Sequence, residues 1–246
     1  MSASRRVYVH QLHAPSSKNL LPLAAGLIAS YVKHQPDLAA RYACAIKVLR
    51  EDPALTVRSY DDPDVLAYST YSWNFRQSLE VARLAKQAHP GVLVVFGGPM
   101  IALSQRPDEL EVFFKSYPWV DLVVHGMGEW AFADVLRARL AGRTWEGIPG
   151  LSYRSPEASV GFTSTTPANF NKDLNELPSP FLDGTFDEVL EEYGERITGA
   201  LWETNRGCPF TCTFCVQGDA IFKRVLTFET SRLYQELEWM SERRIE

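Results

Sequence analysis

Residues Val92-Leu93-Val94-Val95-Phe96 form an unbroken apolar run closed by Gly97-Gly98-Pro99. A strand with no polar alternation offers no face to water. It must be covered on both sides, and the usual cover is helices crossing over a parallel sheet. The rest of the first 142 residues supplies both kinds of segment. Stretches 6–12, 55–59, 64–69 and 121–125 read as further strands, and 21–33, about 38–49, 75–88, 109–116 and 129–140 carry helical spacing. The expected fold is therefore α/β, a doubly wound (flavodoxin- or Rossmann-like) sheet of five parallel strands. Ligands of such sheets sit beyond the carboxyl ends of the strands. The unusual loops fall there: Pro15-Ser16-Ser17, Ser69-Thr70-Tyr71-Ser72-Trp73-Asn74, Gly97-Gly98-Pro99 and Gly126-Met127-Gly128-Glu129.

Composition narrows the class of partner. Lys and Arg number 25 against 30 Asp and Glu, a net charge of -5, so no basic surplus draws the chain to phosphate backbones or anionic membranes. Neither a nucleic-acid nor a membrane partner is expected. A hydrophobic content of 46% with 22% charged residues excludes global disorder. The longest apolar window, 20–32, has the length of a core helix and contains Pro22 and Gly26. Ser4-Arg5-Arg6-Val7-Tyr8 loosely resembles a twin-arginine export signal, but a strand-like run follows the arginines directly and a Pro-Ser-Ser-Lys loop separates it from that window. A strand, a loop and a helix account for the whole segment, and the expected location is the cytoplasm.

The character of the chain changes after Gly142. Residues 151–154 and 160–163 suggest a small hairpin, and 163–183 is a Thr-, Asn- and Pro-rich linker. Three units are expected: 1–142, the hairpin and linker 143–198, and 199–246. In the last, a strand at 200–204 runs into a cysteine loop. An amphipathic helix at 228–244 follows, with Leu233, Leu237 and Met240 on its buried side and Glu236, Glu238, Glu242, Arg243 and Arg244 on a solvated face.

Three of the four cysteines lie in Cys208-Pro209-Phe210-Thr211-Cys212-Thr213-Phe214-Cys215, spaced C-x-x-x-C-x-x-C. Three thiolates on one loop suit three corners of a four-iron cluster, leaving one iron open. A structural zinc site wants four protein ligands, and no histidine follows His125 to complete one. Cys44, in a helical pattern, reads as core filler.

The segment Glu203-Thr204-Asn205-Arg206-Gly207 with this loop resembles the cluster motif of radical S-adenosylmethionine enzymes, including the aromatic residue before the last cysteine. The resemblance implies that Cys208, Cys212 and Cys215 hold a [4Fe–4S] cluster, that S-adenosylmethionine chelates the open iron, and that Phe214 lies beside its adenine. The loops Leu21–Leu27, Tyr68–Asn74, Val95–Pro99 and Val124–Glu129 resemble the cobalamin-binding domain of the cobalamin-dependent (class B) branch. It implies that the corrin ring rests on the carboxyl edge. The nucleotide tail would run down against Ser69, Thr70, Gly97, Gly98 and Pro99, with Tyr71, Trp73, Gly126, Gly128 and Glu129 completing the contacts. The pattern D-x-H-x-x-G is absent, and none of His10, His13, His34, His89 and His125 stands in that context, so no imidazole is expected below cobalt. The Tyr71–Trp73 loop is the expected neighbour of that face. Met100 stands where relatives often carry histidine.

What the resemblance implies is a C-methyltransferase that passes a methyl group from S-adenosylmethionine, via methylcobalamin, to a carbon of an amino-acid, peptide or other natural-product substrate, fed by an external electron donor of the flavodoxin or ferredoxin type. Cys215-Val216-Gln217-Gly218 and Phe222-Lys223-Arg224-Val225 are similar to a subgroup acting on peptides or tryptophan. Radical and polar methyl transfer are both open, as are a cyclising or rearranging enzyme and a non-catalytic cobalamin- or metal-binding module. Gly97-Gly98-Pro99 alone is equally a tight turn, and Tyr71 and Trp73 alone read better as core or surface aromatics. Gly126-Met127-Gly128-Glu129-Trp130-Ala131 fits G-x-G-x-x-A but follows the fifth strand, not the first, against a dinucleotide site. Glu203, Asn205 and Arg206 are expected to satisfy polar groups at a strand end, and His125 to be structural. Only 39 residues run from Cys208 to Glu246, whereas a radical barrel takes about six strand–helix units of roughly thirty residues. The expectation is the N-terminal part of a larger enzyme, with the first barrel unit and no turnover of its own.

Overall fold

The computed structural model describes residues 4–13, 19–102, 106–168, 172–210, 212–213 and 225–245. Strand β1 (Arg5–His10) leads to the two-residue β2 (Leu20–Leu21), α1 (Leu23–Lys33), α2 (Pro36–Ala39) and β3 (Tyr42–Lys47). Next come α3 (Pro53–Arg58), β4 (Pro63–Ser69), α4 (Phe75–Ala88), β5 (Leu93–Gly97), the single turn α5 (Pro99–Ala102), α6 (Pro107–Ser116), β6 (Leu122–Val124) and α7 (Gly128–Leu140). The hairpin β7 (Leu151–Arg154) and β8 (Phe162–Ser164) precedes α8 (Thr185–Tyr193), β9 (Gly199–Ala200), β10 (Asn205–Arg206), β11 (Leu226–Thr227) and α9 (Thr230–Glu242). Among the described residues no helix is long and apolar enough to cross a membrane.

The main sheet has the order β3-β1-β4-β5-β6-β7-β8. Its first five strands are parallel, as the sequence suggests, and β7 and β8 add two antiparallel strands by pairing Tyr153 with Leu122. The expected hairpin thus belongs to the sheet itself. Side chains alternate across it. Val7, Val9, Val65, Ala67, Val95 and Val124 pack with α1 and α7, while Tyr8, Leu66, Tyr68, Val94 and Phe96 pack with α4 and α6. Both faces are dry, which is why β5 tolerates no polar residue.

Two expected elements exchange character. Residues 42–47, expected as helix, form edge strand β3, paired with β1 from Arg5↔Tyr42 to His10↔Lys47. The run Ala43-Cys44-Ala45 has helical propensity, but the ladder of β1 overrides it. Cys44 is therefore on a strand, half-buried. Residues 55–59, expected as strand, lie mostly in α3, where the Asp52 carboxylate accepts from Ala54 N at 2.8 Å and Pro53 opens the first turn.

The expected strand 200–204 is split. Gly199 and Ala200 pair in parallel with Leu20 and Leu21, and Asn205 and Arg206 pair antiparallel with Thr227 and Leu226. Between them Trp202 points its Nε1–H at a Glu236 oxygen, 2.7 Å away. That contact also corrects the helix face: Glu236 is 2% exposed and Leu237 is exposed, so the buried stripe of α9 is Glu236, Trp239 and Met240.

Candidate functional site

The order of the five parallel strands reverses direction between β1 and β4, and that switch point is where an open α/β sheet leaves a crevice. A cavity of about 380 Å³ opens there and runs down between the sheet and helices α1 and α7, past Val9, Ala24, Ile28 and Phe132. Its mouth is formed by the ends of β4, β5 and β6 and by Glu203, Asn205, Arg206 and Gly207, the stem of the cysteine loop.

Eight of the ten residues expected around the larger ligand line this cavity: Ser69, Tyr71, Gly97, Gly98, Pro99, Gly126, Gly128 and Glu129. Thr70 and Trp73 do not. Thr70 is fully buried, and its hydroxyl and its N–H both donate to the Gly97 carbonyl, at 2.6 and 2.8 Å, while its own carbonyl accepts from Met100 N. The hydroxyl expected for a ligand instead fastens β4 to the turn after β5. Trp73 stacks on Tyr71 with centroids 4.6 Å apart and planes 10° from parallel, and is 48% exposed. The pair forms a flat aromatic plate at the mouth. Burial raises the Tyr71 phenol above its ordinary range.

The two glycines differ in what they allow. Gly98 has φ +89°, and a Cβ there would meet the backbone of Thr70. A Cβ on Gly97 would meet only Val124, its carbonyl oxygen at 3.4 Å and its Cβ at 3.9 Å, both ordinary contacts, so the fold leaves its position open toward the cavity.

Asn74, which the sequence marks only as a loop residue, holds this edge together. Its Nδ2 donates to Leu12 O and Ser69 O, each at 3.0 Å, and its Oδ1 accepts from Tyr71 N at 2.8 Å. Beneath the mouth His10 is enclosed. Nδ1–H donates to Ala67 O at 3.2 Å and Nε2 accepts from the Tyr60 hydroxyl at 2.7 Å, while the ring stacks on Tyr68. Burial holds His10 neutral, its pKa lowered to about 3. His125 is structural, as expected, with Nε2 2.8 Å from Ser152 Oγ.

Glu129, in the first turn of α7, is 5% exposed. Its Oε1 accepts from Arg206 Nη2 at 2.6 Å, and Arg206 Nε donates to Glu203 Oε2 at 2.9 Å. Burial disfavours the Arg206 charge, but the two carboxylates outweigh it and raise its pKa; burial also raises Glu203. Glu203 and Arg206 are therefore cavity walls and ion-pair partners, more than strand-end filler.

Cys208 is half-buried and Cys212 exposed, both on the loop that leaves β10. Cys215 and Phe214 lie outside the described residues, as do Pro15, Ser16 and Ser17 and the stretches 216–218 and 222–224. The site fits the two groups implied by the sequence. The spacing of the three cysteines suits a cluster, and the cavity offers a cradle at Gly97 together with a buried carboxylate oxygen, Glu129 Oε2, that has no partner among the described residues.

Residues 18–136 match the B12 binding domain family. Over 249 residues the chain is 41% identical to 2-(S-pantetheinyl)-carbapenam-3-carboxylate methyltransferase of Streptantibioticus cattleyicolor, covering 99% of this chain and 35% of that protein. It is 39% identical over 250 residues to the cobalamin-dependent radical SAM methyltransferase TokK of Streptomyces tokunonensis, covering 100% of this chain and 35% of that one. The chain thus spans about a third of the length of these relatives. Its fold matches the radical S-adenosylmethionine methyltransferase TsrM of Kitasatospora setae, solved with cobalamin and a [4Fe-4S] cluster, with TM-score 0.70 and 18% identity over 99% of this chain and 47% of that one.

Proposed function

We propose that this chain, with its B12 binding domain and its likeness to cobalamin-dependent radical S-adenosylmethionine methyltransferases, is the cofactor-holding part of an enzyme that methylates a carbon of a small natural product. The observation that carries the reading is the shared cavity: the strand ends that would receive cobalamin and the stem of the loop that would carry the cluster are walls of one space. When bound, cobalamin supplies a cobalt centre able to relay a methyl group, and the cluster supplies the electron that activates S-adenosylmethionine.

The protein's part is placement. Gly97, Gly98 and Pro99 line the channel into which the nucleotide tail would descend, and Ser69 would meet it at the mouth. Tyr71, with Trp73 stacked against it, would shield the ring from water at the mouth of the cavity. Cys208, Cys212 and Cys215 would hold the cluster, and Phe214 would lie against the adenine. An electron donor of the flavodoxin or ferredoxin class would reach the cluster from outside. The name of one relative, a carbapenam-carboxylate methyltransferase, favours a small substrate of the carbapenam type over a peptide.

The test is anaerobic reconstitution with iron, sulfide and cobalamin, followed by metal and sulfide analysis and incubation with S-adenosylmethionine bearing a deuterated methyl group. The expected result is bound iron, sulfide and cobalt, with the label in the product of the complete enzyme. Zinc without sulfide overturns the radical reading. Deoxyadenosine formation without a labelled product points to cyclisation or rearrangement.

A further inference from the structure

A carboxylate oxygen that is buried without a hydrogen-bond donor is costly, because nothing replaces the water it gave up. Glu129 Oε2 is such an atom among the described residues, on a side chain that is 5% exposed and lines the cavity. Its other oxygen is held by Arg206, whose side chain is itself largely buried and grips Glu203 with its Nε. Two carboxylates share the one fork of Arg206, and Oε2 of Glu129 is the oxygen left without a donor among the described residues.

Position gives this shortfall a consequence. Glu129 begins α7, at the end of the strand that closes the cavity, whereas Arg206 ends β10, two residues before Cys208. Gly207 between them also lines the cavity. The ion pair is thus the direct link between the wall of the ligand channel and the stem of the cysteine loop.

We propose that Glu129 Oε2 is the acceptor for an N–H donor of the ligand that fills the cavity, an amide of the kind that fringes a corrin ring, and that Arg206 is a positioning residue that transmits this occupancy to the cysteine loop. The inference rests on the cobalamin reading above. A donor on Oε2 supplies the missing partner and fixes the carboxylate. The fixed carboxylate holds the fork of Arg206 in its two-sided geometry, which sets the path of Gly207 and Cys208.

The test uses the cluster-free chain and cyanocobalamin, whose cyanide blocks thiol ligation at cobalt. Affinity is read by equilibrium dialysis, and alkylation of Cys208 by iodoacetamide is read by peptide mass spectrometry with and without the corrinoid. In the unaltered chain cyanocobalamin binds and slows alkylation of Cys208 severalfold. Glu129→Gln, nearly isosteric, weakens binding about tenfold and abolishes the protection. Arg206→Lys keeps the charge but not the fork, so it loses the protection even at corrinoid concentrations that saturate binding. A purely structural pair would shift the melting temperature of both variants without this split. Unchanged affinity in Glu129→Gln, or unchanged protection in Arg206→Lys, overturns the inference while leaving the cobalamin reading intact. Failure of the unaltered chain to bind overturns both.

Discussion

Gly98 and Thr70 approach so closely that a Cβ on Gly98 would lie 2.6 Å from the Thr70 nitrogen and 2.7 Å from its carbonyl oxygen. The obstacle is backbone on a central strand end, which cannot swing aside, and φ of +89° is unfavourable for any L side chain. Gly98→Ala is therefore expected to lower stability by about 2 kcal/mol or more, read as a fall in the urea midpoint.

The neighbouring glycine behaves differently. A Cβ on Gly97 meets nothing closer than 3.4 Å, yet the residue lines the cavity. Gly97→Val is expected to keep the melting temperature within a few degrees and to abolish cobalamin uptake by filling the channel. A variant that melts normally and binds normally would remove Gly97 from the site.

Glu236 joins three parts of the chain far apart in sequence. It accepts from Ser179 Oγ at 2.6 Å, Trp202 Nε1 at 2.7 Å and Arg232 Nε at 2.8 Å. Arg232 also donates to Leu177 O. Glu236→Ala strips the carboxylate from a half-buried guanidinium and a half-buried indole, and the expected cost is about 3 kcal/mol. Thermal unfolding measures it, and a loss under 1 kcal/mol would show that water replaces the carboxylate.

His10 makes folding sensitive to acid. Its pKa is lowered to about 3 by burial, against 6.5 when the ring is free in the unfolded chain. Between those values the unfolded state binds the proton and the native state does not. Stability contributed by the neutral ring is thus complete above pH 6.5 and declines as pH falls toward 3. Urea midpoints measured from pH 7 to pH 4.5 should fall more steeply for the unaltered chain than for His10→Gln. The other carboxylates and histidines are common to both proteins and cancel.

The fold was legible where burial on two faces dictates composition. The dry run 92–96 required the helical layers, and the strong periodicity of α4 located it from Phe75 to Ala88. It was misread at the sheet's edge, where β3 is only partly covered and its Ala, Cys and Lys residues carry no strand signature. The capping chemistry of Asp52-Pro53 was a signal present in the sequence that outweighed the β-branched Thr56 and Val57. Within the site, glycines and aromatics followed from the family pattern. What escaped were pairings across long separations: no local rule joins Glu129 to Arg206, 77 positions apart, or turns Glu236 from a solvated helix face into a buried acceptor. The assignment of Thr70 failed for a related reason, since a strand-end hydroxyl answers first to the nearest carbonyl.

The three hydrogen bonds of Asn74 have a further effect on time scale. Because one side chain ties the amide of Tyr71 to the carbonyl of Leu12, just past β1, and to that of Ser69 at the end of β4, that amide meets solvent protons only when Asn74 leaves its anchors on both strands. The Tyr71 amide, though it lies in a loop, should therefore exchange more slowly than its unanchored loop neighbours, which makes the base of the plate a floor rather than a flap.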